Sequence, residues 1–534
     1  MEVDVEEVNM TRAELITEYE QSQKRLAVLD VENQHLKAQV NWFKEQFKLA
    51  QHRQFGSSSE KMTALLQNEL VFNEAEATLD STPVEAEPET VTYTRKPKST
   101  GHRQEMLEDL PTETIEYKLP EDEQVCAQCG GHLHEMSTQT REEIEIIPAQ
   151  VKLIKHVQSI YSCRNCEKNE ISVPIVTAPA PKALIAKSLA SPSAVAYIMS
   201  QKFVESLPLY RQEKHFERLG IELPRTMLSN WMIKGGEMLE PIYNRMHEQL
   251  LERNIVHADE SPLQVLHEPG RSAQSKSYMW VYRSGRYGPP IICYEYQPTR
   301  DGDHPKRFLS DFAGYLHADG FAGYNKVTDV TLVGCWAHAR RKFVDALILV
   351  PKESRKAPNH LCNIAISKIK KLFAIERELR DSSPEKHLAA RNERSRRIVE
   401  DFKIWLDKES KLALPKSKIG EAITYCRNQW PKLIRFLDDG RLEIDNNSAE
   451  RSVKPFVIGR KNWLFANTVR GAKVSAIIYS IVETAKENSI NPFDYLKYTL
   501  ERIKNIANTA IDSLLPWSED VQAALRVHSN TASS

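Results

Sequence analysis

The sequence predicts a multidomain α/β protein, and three observations predict it. NIVHADESPLQVL, SYMWVYRS and IICYEYQP read as three consecutive strands separated by short turns. A short helix (DHPKRFLSDF), a fourth strand (YLHAD), a fifth (TLVGCWAH) and a helix (ARRKFVDAL) follow. Three meandering strands followed by alternating helices and strands give the order of an RNase H-like core, assigned to residues 251–500. The second observation is two Cys-x-x-Cys pairs joined by strand-like sequence. The third is a heptad-spaced apolar seam near the N-terminus. At 534 residues the chain has room for all three units.

In chain order, residues 1–55 form the predicted coiled-coil dimerisation helix. Leu15, Tyr19, Ser22, Leu26, Leu29, Asn33, Leu36, Val40, Phe43 and Phe47 alternate spacings of four and three, a period of about 3.5 residues. With Leu26 at a and Leu29 at d, Asn33 falls at a, where one buried amide favours a parallel dimer. The alternative is an amphipathic helix packed on its own chain. Gly56 and the following serines end the pattern, and residues 56–105 read as a linker, acidic first and then basic.

Residues 106–178 carry Cys126, Cys129, Cys163 and Cys166. Paired knuckles joined by strands predict a zinc ribbon, and four thiolates would close a tetrahedral site around one structural Zn²⁺. His132 and His134 are substitute ligands or residues of an exposed turn. Residues 179–250 are helical, and PLYRQEKHFERLG, IELPR and TMLSNWMIKGGEML resemble a helix-turn-helix. Arg225, Thr226, Ser229 and Asn230 would face DNA, with Leu228 and Trp231 inward. A plain helical bundle is the alternative.

In the core, Asp259 and Asp319 are placed at strand ends, and Glu450 opens a helix (DNNSAERSVKP). Oxygen ligands suit Mg²⁺ or Mn²⁺, and two such ions about 4 Å apart can clamp the attacking and leaving oxygens of a phosphodiester. Glu260 competes with Asp259, but side chains alternate along a strand, so one of the two faces the metals. His257 shares the parity of Asp259 and is read as a neighbour. Glu443 and Asp445 compete with Glu450, which could instead close a capping box with Asn447. Residues from about 351 to 440 read as a helical insertion. Beyond Glu450 the chain is basic: Arg451, Lys454, Arg460, Lys461, Arg470 and Lys473, candidate phosphate contacts. Trp463 is open between base stacking and core packing, and Phe465 is assigned to the core. Cys335 and His338 form a Cys-x-x-His pair short of two ligands for a zinc site. They read as support for the active site, with His338 and Arg341 as DNA or active-site contacts. Residues 501–534 are left as a C-terminal tail.

Net charge is −1, so any nucleic-acid surface must be local. The N-terminus lacks a signal-peptide core, and no apolar run reaches the roughly 20 residues of a membrane span. The four remaining cysteines, Cys293, Cys335, Cys362 and Cys426, are scattered, which fits a reducing cytoplasm.

HADES, LHADGFAGY, GCWAHARRKF, DNNSAERSVKPFVIGRKNWLFA and SIVETAKENSINPFDYL closely resemble the large transposase of bacterial insertion-sequence family sixty-six (TnpC type). So do the zipper segment ending in FGSSSEK, the zinc ribbon and LPLYRQEKHFERLGIELPRTMLSNW. The resemblance runs over nearly the whole chain in order. It implies a DDE transposase with a retroviral-integrase-like core, the triad Asp259, Asp319 and Glu450, transposon-end and target DNA as partners, and accessory proteins of the same element. One departure is Ser261, where the family usually has Thr. Rival readings are an RNase H-like nuclease that cleaves without joining, and a transposase-derived DNA-binding protein.

Overall fold

The computed structural model describes residues 150–162, 175–504 and 508–525, with scattered helical positions between 19 and 40. The linker, the four cysteines of the predicted ribbon and most of the heptad seam, Asn33 included, lie outside the described residues. Tyr19, Leu26, Leu29 and Val40 are helical and exposed on the single chain.

A short antiparallel pair, β1 (Ile160–Ser162) and β2 (Ile175–Thr177), lies on either side of residues 163–174 in the chain. Four helices follow: α1 (Pro192–Phe203), α2 (Leu209–Arg218), α3 (Arg225–Met238) and α4 (Glu240–Leu251). Ser191 caps α1 by accepting from the Ala194 N–H, and Pro192 fits the first turn, where no N–H is required. The sequence reading included three of these helices. It missed α4, whose buried Ile242, Met246 and Leu250 recur every fourth residue.

The central sheet contains β3 (Ile255–His267), β4 (Lys276–Ser284), β5 (Ile292–Gln297), β6 (Gly314–Ala318) and β7 (Val330–Gly334), with α5 (Asp303–Phe308) between β5 and β6. Its order is β5-β4-β3-β6-β7: β3, β4 and β5 run antiparallel, whereas β6 and β7 run parallel to β3. Two details differ from expectation. β3 covers the run NIVHADESPLQVL as read, but Asp259 is mid-strand and not at a strand end, because β4 pairs with β3 as far as Gln264. The fifth strand stops at Gly334, and Trp336 already belongs to α6 (Trp336–Ile348), whose side chain is fully buried between layers.

The insertion comprises α7 (Lys352–Arg355), α8 (Leu361–Glu378), α9 (Pro384–Ala390), α10 (Arg396–Glu409) and α11 (Lys418–Leu433). It builds its own core around Ile369, Phe402, Ile423 and Phe436, sharing Trp336 and Phe343 of α6. Arg391 is fully buried there. Its guanidinium donates to Glu376 and to the carbonyls of Phe436, Asp439 and Leu442 at 2.7–2.8 Å, tying the insertion to the segment that leads back to the sheet. A buried charge with all these acceptors avoids the desolvation penalty of an unpaired one.

The chain returns through α12 (Asn447–Trp463), a short β8 (Ala466–Thr468) parallel to the far end of β3, α13 (Val469–Glu487), α14 (Pro492–Arg502) and α15 (Glu519–Leu525). α13 covers the edge strand β5. The Ile292 and Tyr294 N–H groups donate to Thr484 Oγ1 (3.0 Å) and Ser480 Oγ (2.8 Å), blunting an edge that would otherwise template further pairing. Ile511, Leu514, Leu515 and Val521, from the segment read as a tail, are buried in the same core.

Candidate active site

Parallel pairing of β3 with β6 ends at His257 and His317, whose rings stack at 4.2 Å and 12°. The stack puts both histidines on one face of the sheet. Asp259 and Asp319 each follow two residues later, one in β3 and the other just past β6. Period two along a strand keeps Asp259 on the face of His257. Each carboxylate accepts a local backbone N–H: Glu260 to Asp259 (2.9 Å) and Phe321 to Asp319 (2.8 Å).

Glu450 arrives from the first turns of α12. The residue capping that helix is Asn446, with no side-chain cap, so the alternative role for Glu450, a capping box with Asn447, does not form. Glu450 Oε2 instead lies 3.3 Å from Arg341 Nη2, and Oε1 lies 3.6 Å from His338 Nδ1. The two α6 side chains singled out in the sequence thus converge on Glu450. Of its rivals, Glu443 is directed at His257 (3.9 Å from Nε2). Asp445 accepts from the Asn447 backbone (3.0 Å) and side-chain amide (2.9 Å).

The carboxylates act on one another electrostatically. Burial pushes the Asp259 carboxyl well above its usual range, and the charges of Glu260, Glu450 and Asp319 push it further, against the opposing Glu260 N–H. Such a cluster of partly dehydrated negative charge favours cations of oxygen-ligand chemistry. Glu260 is already engaged. It accepts from Arg300 Nε (2.7 Å) and Tyr324 (2.5 Å), and Arg300 reaches within 3.8 Å of Asp319 while lying 4.1 Å over the Phe321 ring. Sequence reasoning missed Arg300 and Tyr324 as neighbours of the site. The aromatic run after Asp319 in LHADGFAGY was the signal for Tyr324. His257 is buried and held by Asn446 (3.0 Å) and Ser448 (3.1 Å), a neighbour of the carboxylates in the geometry.

The remaining candidates separate. Arg225, Thr226 and Asn230 are exposed on α3 and Ser229 is half-buried, while Leu228 and Trp231 are buried. Arg451, Lys454, Lys461 and Lys473 are exposed. Arg460 is half-buried and donates to the Pro262 carbonyl, bracing β3, and Arg470 pairs with Glu237 of α3 at 2.5 Å. Those two guanidinium groups are engaged within the fold. Trp463 is half-buried, 5.6 Å from Phe456 in an edge-on contact. Phe465, assigned to the core, is 41% exposed. The reason is local: α12 ends at Leu464 with φ of 67°, which turns the chain outward before β8 begins.

Residues 187–474 match the Transposase IS66 family, a span that contains all three carboxylates. The chain belongs to the IS66 transposase family. The transposase also matches the zinc-finger binding domain of transposase IS66 over 123–167, which spans all four knuckle cysteines and supports a structural zinc. Further matches are the IS66 C-terminal element over 480–517 and Transposase C of IS166 homeodomain over 42–115. It is 31% identical to the uncharacterized protein y4qI of Sinorhizobium fredii over 494 residues, 88% of this chain and 87% of that protein. It is 32% identical to y4jD of the same organism over 414 residues, 74% and 78% of the two chains. No helix among the described residues is long and apolar enough to cross a membrane.

Proposed function

We propose that this transposase cleaves the ends of its element and joins them to target DNA, with Asp259, Asp319 and Glu450 holding two Mg²⁺ or Mn²⁺ ions. The observation that carries the reading is the mutual electrostatic influence of these carboxylates, delivered by adjacent parallel strands and by α12. The strand order β5-β4-β3-β6-β7 supports an RNase H-like, retroviral-integrase-like core. The donor set fits the ions: all three are carboxylates, and among the described residues Asp259 has no cationic side chain paired with it.

When bound, such ions supply Lewis-acid stabilisation and lower the pKa of a bound water. The chain's own residues do the rest. Asp259 and Asp319 are held by backbone N–H groups, so their oxygens stay aimed as charge develops. Arg300 balances Glu260 and Asp319, keeping the second carboxylate of HADES out of the metal-facing set. Arg341 orients Glu450 and is exposed enough to meet a phosphate. Exposed Lys454, Lys461 and Lys473, with Arg225, Thr226, Ser229 and Asn230 of α3, are assigned to DNA. Arg451 is assigned with them. A zinc ribbon at Cys126, Cys129, Cys163 and Cys166 and a dimer through the N-terminal seam complete the reading, with accessory proteins of the same element as partners.

Purified protein with labelled element ends, a target duplex and Mg²⁺ or Mn²⁺ tests this. Joined products in which the transposon 3′ end is covalently linked to target are the expected result. Cleavage with no joined product would favour the nuclease reading.

A further inference from the structure

The Cys-x-x-His pair that sequence reasoning left without enough ligands meets its third across the molecule. Cys335 caps the start of α6, His338 lies one turn in, and Glu450 enters from α12. One ligand atom from each, sulfur, imidazole nitrogen and carboxylate oxygen, lies within 4.8 Å of the other two. A second observation points the same way. His338 Nδ1 and Glu450 Oε1 are both buried and find no hydrogen-bond partner among the described residues, although they face one another at 3.6 Å. An imidazole nitrogen and a carboxylate oxygen, both buried, thus face each other across a gap that neither satisfies by hydrogen bonding.

We propose that Cys335, His338 and Glu450 form a site for a borderline-soft divalent cation, Zn²⁺ by preference, distinct from the all-carboxylate site that shares Glu450. Ligands around tetrahedral zinc, at about 2.0–2.3 Å from the metal, stand about 3.3–3.8 Å apart. The His338–Glu450 pair already has that spacing at 3.6 Å, and the sulfur, within 4.8 Å of both, needs to close by at most about 1–1.5 Å. Mixed sulfur, nitrogen and oxygen donors select Zn²⁺ over Mg²⁺, which prefers oxygen alone. Three protein ligands leave a fourth position for water. Binding expels the Cys335 thiol proton to solvent, and no other bond changes.

The consequence concerns the shared residue. Glu450 Oε2 is held by Arg341, and Oε1 is the oxygen directed to His338. Zinc in this site therefore draws Glu450 away from Asp259 and Asp319. Zn²⁺ inhibits the Mg²⁺-dependent reaction through a residue, Cys335, that takes no part in it. Occupancy is independent of the proposed reaction; only the inhibition rests on it.

Cys335→Ser separates the two. Serine keeps an acceptor for the Asn446 N–H that now bonds Cys335 Sγ at 3.2 Å, and it is a poor zinc ligand. Zinc content, measured by elemental analysis after equilibration with buffered Zn²⁺, should fall by about one ion per chain in Cys335→Ser, whatever the ribbon holds. The zinc concentration that halves cleavage of labelled ends in Mg²⁺, each protein being measured against its own zinc-free rate, should rise at least about tenfold. Equal zinc content in the two proteins overturns the site. Reduced content with unchanged inhibition overturns the regulatory role. Absence of cleavage in both proteins without zinc counts against the transposition reading and leaves the metal count to decide the site.

Discussion

Asn446 bridges the central strand and the helix that carries Glu450. Its side-chain N–H donates to the Ala258 carbonyl at 2.9 Å, which turns its oxygen toward His257 Nδ1 at 3.0 Å. Its backbone N–H donates to Cys335 Sγ. One buried amide thus fixes β3, the start of α6 and the start of α12, the three elements that bring Asp259, His338 and Glu450 together.

Asn446→Ala should therefore act as loss of positioning. Removing both side-chain bonds takes one partner from the buried Ala258 carbonyl and leaves His257 Nδ1 with Ser448 alone, a cost of about 1–3 kcal/mol in stability. Cleavage should fall while binding to intact element ends is retained. Thermal melts and end-binding titrations check both halves. A variant with parental cleavage would mean that Glu450 is set by Arg341 and the insertion alone.

Asp445 supplies a pH test. Burial, with the charges of Glu443 and Glu450, lifts its carboxyl from 3.8 to about 7, against the Asn447 N–H and the charge of Arg451. A carboxyl that binds its proton more tightly when folded stabilises the fold fully below its unfolded value. That contribution is lost as pH rises through about 7. Asp445→Asn removes the ionisation and keeps an acceptor. In metal-free buffer its melting temperature, relative to the parent, should climb between about pH 4 and about pH 8. A constant difference across that range would show that Asp445 does not carry the shift.

The basic stretch after Glu450 should divide in two. Lys454→Gln and Lys461→Gln should each weaken DNA binding uniformly across sequences and reduce the salt dependence by about one ion. Arg460→Gln should mainly destabilise the fold, because its guanidinium is engaged with the Pro262 carbonyl. Equal salt slopes for the parent and the lysine variants would remove this surface from the DNA path.

The N-terminal seam predicts a parallel two-stranded coil with the Asn33 amides facing each other. Asn33→Leu should strengthen association of the isolated segment and loosen its register, since the polar pair that penalises alternatives is gone. Sedimentation and crosslinking measure this. A monomer at tens of micromolar would return the helix to an intramolecular arm.

Much of the core was legible because period-two runs and acid-bearing strand ends are local signals. Asp319 falls just past its strand as read. What escaped depended on contacts distant in sequence. Trp336 reads as strand by its neighbours, yet its indole N–H donates to the Leu433 carbonyl across the insertion, so it belongs to a helix. Arg300 had no motif to mark it, since its partners are Glu260 and Asp319. Phe465 looked like core because its neighbours are apolar, but the positive φ at Leu464 turns it outward. Glu450 could not be told from Glu443 or Asp445 by spacing; its contacts with His338 and Arg341, more than a hundred residues earlier, are invisible in the sequence.

The most direct test replaces the carboxylates one at a time. Asp259→Asn, Asp319→Asn and Glu450→Gln should each fold normally, bind labelled element ends, and lose cleavage in both Mg²⁺ and Mn²⁺ by at least about a hundredfold. Near-parental cleavage by Glu450→Gln would contradict the account and move the third metal-holding position to Glu443 or Asp445.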